Sequence, residues 1–118
     1  MSHLRVRTRK GDGGIFVVYV DGYLNSLLGE EMERAVYDVV DAGGAGVVLN
    51  FEGTKLINSI GISFVIGIVE RMRERNSTLA FCSLKRINRE LFQMTGVSRY
   101  VRLFDTEEEA LVFLAQSV

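Results

Sequence analysis

Ser59 is the hydroxyl in this chain with the most chemistry open to it, and Asn58 stands directly before it. The pair lies between a polar loop, Glu52-Gly53-Thr54-Lys55, and an apolar run in which Ile62, Val65, Ile66, Val69 and Met72 recur at three and four. That spacing predicts a helix with one buried stripe. Asn and Ser both favour helix N-caps, where a side-chain oxygen accepts from an otherwise orphaned amide. One reading of Ser59 is therefore a cap and nothing more. A second reading uses the same geometry. A phosphoryl group on Ser59 would sit at the positive end of the helix with free amides aimed at it, and would add about two negative charges at one surface point. A partner docked over a neutral serine would then face an unpaired charge, which makes a binary switch for an interface. Ser63 and Thr54 are alternative acceptors, although Ser63 lies a full turn into the helix.

Catalysis by Ser59 would need a base, and the single histidine, His3, sits at the far N-terminal end. We expect no catalytic residue, and a hydrolase reading serves only as a contrast. The chain has no Gly-x-x-x-x-Gly-Lys-Ser/Thr or Gly-x-Gly-x-x-Gly phosphate loop after a strand, and no clustered His, Cys or carboxylate spacing. No metal and no cofactor are expected. Cys82 lies in an apolar strand-like run and reads as an inert core residue; alone, it excludes an internal disulfide and fits a reducing cytosol. Arg71, Arg73 and Arg75 interleave with Glu70 and Glu74 and diverge around a helix, so they read as a solvated, charge-balanced end.

The elements that must carry Ser59 follow from patterning. Arg5, Arg7 and Arg9 alternate with Leu4, Val6 and Thr8, which suits an edge strand. Lys10 to Gly14 is a turn by composition, and Ile15 to Val20 is a central strand that closes a hairpin with the first. A loop, Asp21 to Ser26, leads to a helix capped by Asn25 or Ser26, with Leu28, Met32, Ala35, Val36, Val39 and Val40 inward and Gly43-Gly44 as its stop. Val47-Val48-Leu49 is a buried strand ahead of the Ser59 loop and helix. Thr78 to Ser83 is a further strand, Arg86 to Thr95 a short helix and Tyr100 to Phe104 a last strand. Thr106-x-x-Glu109 is a capping box that starts a final helix running to about Gln116. The resulting β-β-α-β-α-β-α-β-α order predicts an α/β fold whose mixed sheet opens on an antiparallel hairpin and continues by parallel crossovers.

At 118 residues, 47% of them apolar and 25% charged, the chain reads as a single soluble domain spanning 1–118. A net charge of −1 gives no electrostatic case for nucleic acid. No apolar run reaches the ~18 residues of a membrane span, and no signal-like leader opens the chain. On the Ser59 helix, steps of 100° turn Ile62, Val65, Val69 and Met72 inward and Ser63, Gly67, Glu70 and Glu74 outward. Ile60 and Phe64 flank the outer face. They fit a partner's landing surface, and equally a packing role beneath neighbouring loops.

Two blocks carry a family resemblance. Val47 to Phe51 followed by Asn58-Ser59-Ile60-Gly61-Ile62, and Leu91-Phe92-Gln93-Met94-Thr95-Gly96-Val97 followed by Val101 to Phe104, are similar in order and spacing to the anti-sigma factor antagonists of the STAS-domain family. Asp21-Gly22-Tyr23-Leu24-Asn25 resembles that family's first-loop Gly-x-Leu-Asp. The resemblance covers nearly the whole chain and implies helices mostly on one side of the sheet. It further implies a cytoplasmic regulator in which Ser59 is phosphorylated by an anti-sigma factor that is itself a serine kinase. The unmodified form would bind that kinase and free a sigma factor, and a phosphatase would restore it. Asn58, Gly61, Asn25, Ser26 and Thr54 would then surround the site, with Ile60, Phe64, Ser63 and Gly67 towards the partner. Three positions depart from the pattern. Asn58 and Asn25 replace acids, and Ile60 replaces a hydroxyl residue. Neutral caps could make a phosphate more comfortable, or deprive a kinase of a carboxylate it recognises. The second outcome leaves a scaffold, such as a subunit of a lipid-transport ABC complex or a signalling assembly.

Overall fold

The structure, a computed structural model, describes residues 5–117. His3 and Leu4 lie outside these residues. A five-stranded sheet has the order β1 (Val6–Lys10), β2 (Ile15–Val20), β4 (Gly46–Asn50), β6 (Thr78–Cys82), β7 (Arg102–Phe104). β1 and β2 are antiparallel and every later pair is parallel, as the crossover order predicts. The crossovers are α1 (Ser26–Asp41), α2 (Ser59–Glu74) and α3 (Arg86–Met94), and α4 (Glu107–Ser117) follows β7.

β4 is buried at all five residues because both of its faces are covered. Val47 and Leu49 point into the larger core with Val18, Val20 and Phe81, beneath Met32 and Val36 of α1 and Val65 and Ile68 of α2. Val48 points the other way, with Ile15, Val17, Ala80 and Cys82, onto Ala110 and Leu114 of α4. Three helices thus share one side and α4 alone covers the other. Cys82 is fully buried there and burial pushes its thiol up to about 11, which suits an inert core residue. Phe51, Phe81 and Phe92 meet with centroids 5.1–5.7 Å apart and seat α3 against the carboxyl ends of the strands.

Two strands escape the sequence pattern. β3 (Gly22–Leu24) and β5 (Thr54–Ile57) pair in parallel as a separate two-stranded ribbon. Both segments read as loops because three or four residues with a register shift leave too few alternations to see. The arginines expected at a solvated, charge-balanced helix end are there, Arg73 and Arg75 exposed and Arg71 half-buried, and they also make specific contacts. Arg71 and Arg73 lie over the rings of Tyr37 and Tyr100, at 4.7 and 5.2 Å, and Arg75 pairs with Asp41. Arg5, just before β1, pairs with Glu31, and Arg7 on β1 pairs with Asp21.

Arg9 reaches Glu107 at 2.6 Å and Tyr19 at 3.1 Å, while the buried Asn50 donates to Glu107 at 3.0 Å. This cluster, together with the reciprocal Thr106–Glu109 capping box, pins the start of α4. Burial raises the Glu107 carboxyl, but hydrogen bonds from Tyr19, Asn50 and Arg9 outweigh it and leave the group below its ordinary range. A depressed carboxyl stabilises the fold above its unfolded value of ~4.3, and that contribution is lost as pH falls through the folded value. Glu107→Gln should therefore be less stable at pH 7, and its stability should fall less steeply below about pH 4.3 in urea titrations.

The two ribbon strands end where two helices begin. The Leu24 carbonyl accepts from the Asn58 amide at 3.1 Å, and a Cβ built on Gly61 would lie 2.2 Å from that same oxygen. Gly61→Ala should thus destabilise the chain by upward of about 2 kcal/mol in urea melts, although alanine is the better helix former. A neutral or stabilising result would mean that this contact can relax.

Candidate functional site

Ser59 is exposed and is the first residue of α2. Asn58, not Ser59, is the N-cap: its side-chain oxygen accepts from the Gly61 amide at 2.8 Å. The first α2 amides, those of Ser59 and Ile60, have no acceptor within the helix, as at any helix start. Asn25 caps α1 in the same way, accepting from Leu28 at 3.1 Å, and leaves Ser26 as the first helical residue. Two helix starts thus lie beside one another, joined through the Leu24 carbonyl, and neither first turn contains an acidic residue. Ser59 lies at the positive end of α2 with no carboxylate in that first turn, and on the ribbon the Lys55 ammonium sits 5.3 Å from the centre of the Tyr23 ring.

The remaining expected residues fall into two groups. Asn58, Asn25, Ser26 and Ile60 share the exposed rim with Ser59, and Gly61 is buried directly beneath it. Thr54 is fully buried and its hydroxyl donates to the Val20 carbonyl at 2.5 Å, so it is no accessible acceptor. Ser63 is exposed, but its hydroxyl donates to the Ile60 carbonyl at 2.6 Å. Phe64 is half-buried against Gly29 of α1, where any Cβ would meet its ring at 2.4 Å, and Gly67 is half-buried one turn further on. The second half of the expected partner face therefore leans on α1, and Ile60 is its open apolar member. Ile66, placed in the inward stripe by its spacing, is exposed, and Ile68 takes the buried position. Ile66 instead lines a groove of about 210 Å³ with Val97 and Tyr100.

Pattern reading missed most of the apolar surface around Ser59. Tyr23 is 57% exposed, Leu27 53%, Leu56 47% and Ile60 50%. Leu24 and Ile57 pair across the ribbon with both side chains buried, so the residues before them, Tyr23 and Leu56, project together from its outer face. Leu27 and Ile60 are each the second residue of their helix. The available signal was the pair of apolar doublets, Tyr23-Leu24 and Leu56-Ile57, each directly before a capping asparagine. An apolar ring around an uncapped serine at a helix start can do two things: it can bury itself against a protein, and it can hold an anion at its centre.

Among the described residues, no group of His, Cys, Asp and Glu side chains is arranged to hold a metal ion, and no helix is long and apolar enough to cross a membrane. A curated relative from Bordetella bronchiseptica, BtrV, named as a candidate anti-sigma factor antagonist, is 28% identical over 97 residues, 82% of this chain and 84% of the relative. The crystal structure of a candidate anti-sigma factor antagonist from Thermotoga maritima superposes with a TM-score of 0.84 at 17% identity, covering 93% of this chain and 94% of that one. The Bacillus cell fate determinant SpoIIAA in its phosphorylated form gives 0.73 at 19% identity, over 92% and 98% of the two chains. The STAS domain family model matches residues 7–110, and the chain belongs to that family.

Proposed function

We propose that this chain is an anti-sigma factor antagonist: a cytoplasmic binding protein, without catalysis of its own, that is switched at Ser59. Unmodified, it docks through Tyr23, Leu27, Leu56 and Ile60 onto an anti-sigma factor that is also a serine kinase, and a sigma factor is released. Phosphorylation of Ser59 ends the complex, and a phosphatase restores it. The observation that carries this reading is the Ser59 hydroxyl, which is exposed, relieved of capping by Asn58 and ringed by exposed apolar side chains. The antagonist names of BtrV and the Thermotoga protein, and the existence of SpoIIAA in phosphorylated form, support it.

The physics of the switch is desolvation. Docking removes water from the apolar surface, and a phosphate dianion enclosed there would cost several kcal/mol wherever the partner brings no matching cation. The same dianion in the free protein is comfortable, because two helix starts face it and both caps are uncharged asparagines. An aspartate cap would accept the same amide bond while repelling the phosphate.

Incubation with ATP and the cognate anti-sigma factor kinase should add one phosphate, at Ser59, and Ser59→Ala should take none. Ser59→Ala should bind the kinase as the wild type does, whereas Ser59→Asp should bind at least about tenfold more weakly by calorimetry, a loss of ~1.4 kcal/mol. Tight binding by Ser59→Asp overturns the charge switch. Failure to phosphorylate Ser59 while binding persists favours the scaffold reading that Asn58 and Asn25 leave open. Asn58→Asp should keep the melting temperature of wild type and raise the second pKa of phosphorylated Ser59 above its usual ~6, read by phosphorus NMR.

A further inference from the structure

We propose that Asn88 is a positioning residue for the docking ribbon, holding β5 at the height that presents Leu56 and Ser59. This rests on the reading of the ribbon face as the docking surface. β5 has a strand neighbour on one side only, β3, and a two-stranded ribbon this short is marginal by itself. Its other edge turns towards α3. There Asn88, 1% exposed, donates its side-chain amide to the Thr54 carbonyl at 3.3 Å and to the Lys55 carbonyl at 3.4 Å. Lys85, the residue before α3, gives its ammonium to the Glu52 carbonyl in the same connection. From the opposite side Thr54 is tied to the Val20 carbonyl of the main sheet. The segment between β4 and Ser59 is thus held from both flanks, by Asn88 and Lys85 on one side and by the Thr54–Val20 bond on the other.

A buried polar side chain in a helix otherwise anchored by apolar packing is an unfavourable choice unless its hydrogen bonds do something apolar packing cannot. Here they give the Thr54 and Lys55 carbonyls of β5 a side-chain donor from α3. Phe92 lies one turn further along the same helix, fully buried in the aromatic cluster. The same helix therefore offers a control: Asn88 ties the ribbon, and Phe92 ties the helix to the main sheet.

The test is native-state amide hydrogen exchange on the whole chain, with trypsin nicking at Lys55 as a second readout. In Asn88→Leu, protection of the Asn58 amide, which donates to the Leu24 carbonyl, should fall at least tenfold more than protection of Val48 and Leu49 in β4, and cleavage after Lys55 should accelerate to match. Phe92→Leu should lower protection of ribbon and sheet together, as a packing defect does through global unfolding. If Asn88→Leu does not fold, Asn88→Ala, which admits water to the two carbonyls, is read in the same way. Equal loss across ribbon and sheet, or no loss, overturns the positioning role. Both readouts use this chain alone, so they stand even if the antagonist reading fails.

Discussion

One backbone oxygen fixes where the exposed face of this protein is built. The Leu24 carbonyl ends β3, accepts the Asn58 amide that opens α2, and leaves room beside it only for a residue without a side chain, Gly61. Both helix starts are thereby drawn to one point. Because helix starts concentrate unpaired amides, the convergence produces a small electropositive rim from backbone groups. The capping asparagines then do what a serine at either position would also do, which frees Ser59 from structural duty.

The rest of the molecule holds that point still. β4 is packed from both sides, by the paired helices α1 and α2 on one face and by α4 over small residues on the other. Ala80 and Cys82 let α4 lie close, and the Arg9–Tyr19–Glu107–Asn50 cluster fixes where it begins. The α4 contacts lie on the face of the sheet opposite α2, the helix that carries Ser59. Their part is to make the central strands rigid, so that the connection after β4 leaves from a defined place.

Most of the fold was legible because it rests on long periodic segments. The 3.6 spacing of Leu28, Met32, Val36 and Val39, the continuous apolar β4 and the Thr106–Glu109 box each declare an element without help from the rest of the chain. The ribbon was not legible, because β3 and β5 exist only through each other and through Asn88, contacts that no local pattern encodes. The same blindness hid Tyr23 and Leu56, whose exposure depends on Leu24 and Ile57 facing inward. Ser59 could be found from sequence as a residue at a helix start, but its relief from capping required the Asn58 geometry. The misplacement of Ile66 has a simple cause: in Ile62-x-x-Val65-Ile66-x-Ile68-Val69, the stripe can be drawn through either isoleucine.

Phe64 lies in a notch that exists because Gly29 has no side chain, and this interlock fastens α2 to α1 along their length. Helices keyed together in this way cannot slide past one another without lifting an aromatic ring out of its seat. On the proposed reading, a charge added at Ser59 would act on a docking protein by electrostatics rather than by a change of outline.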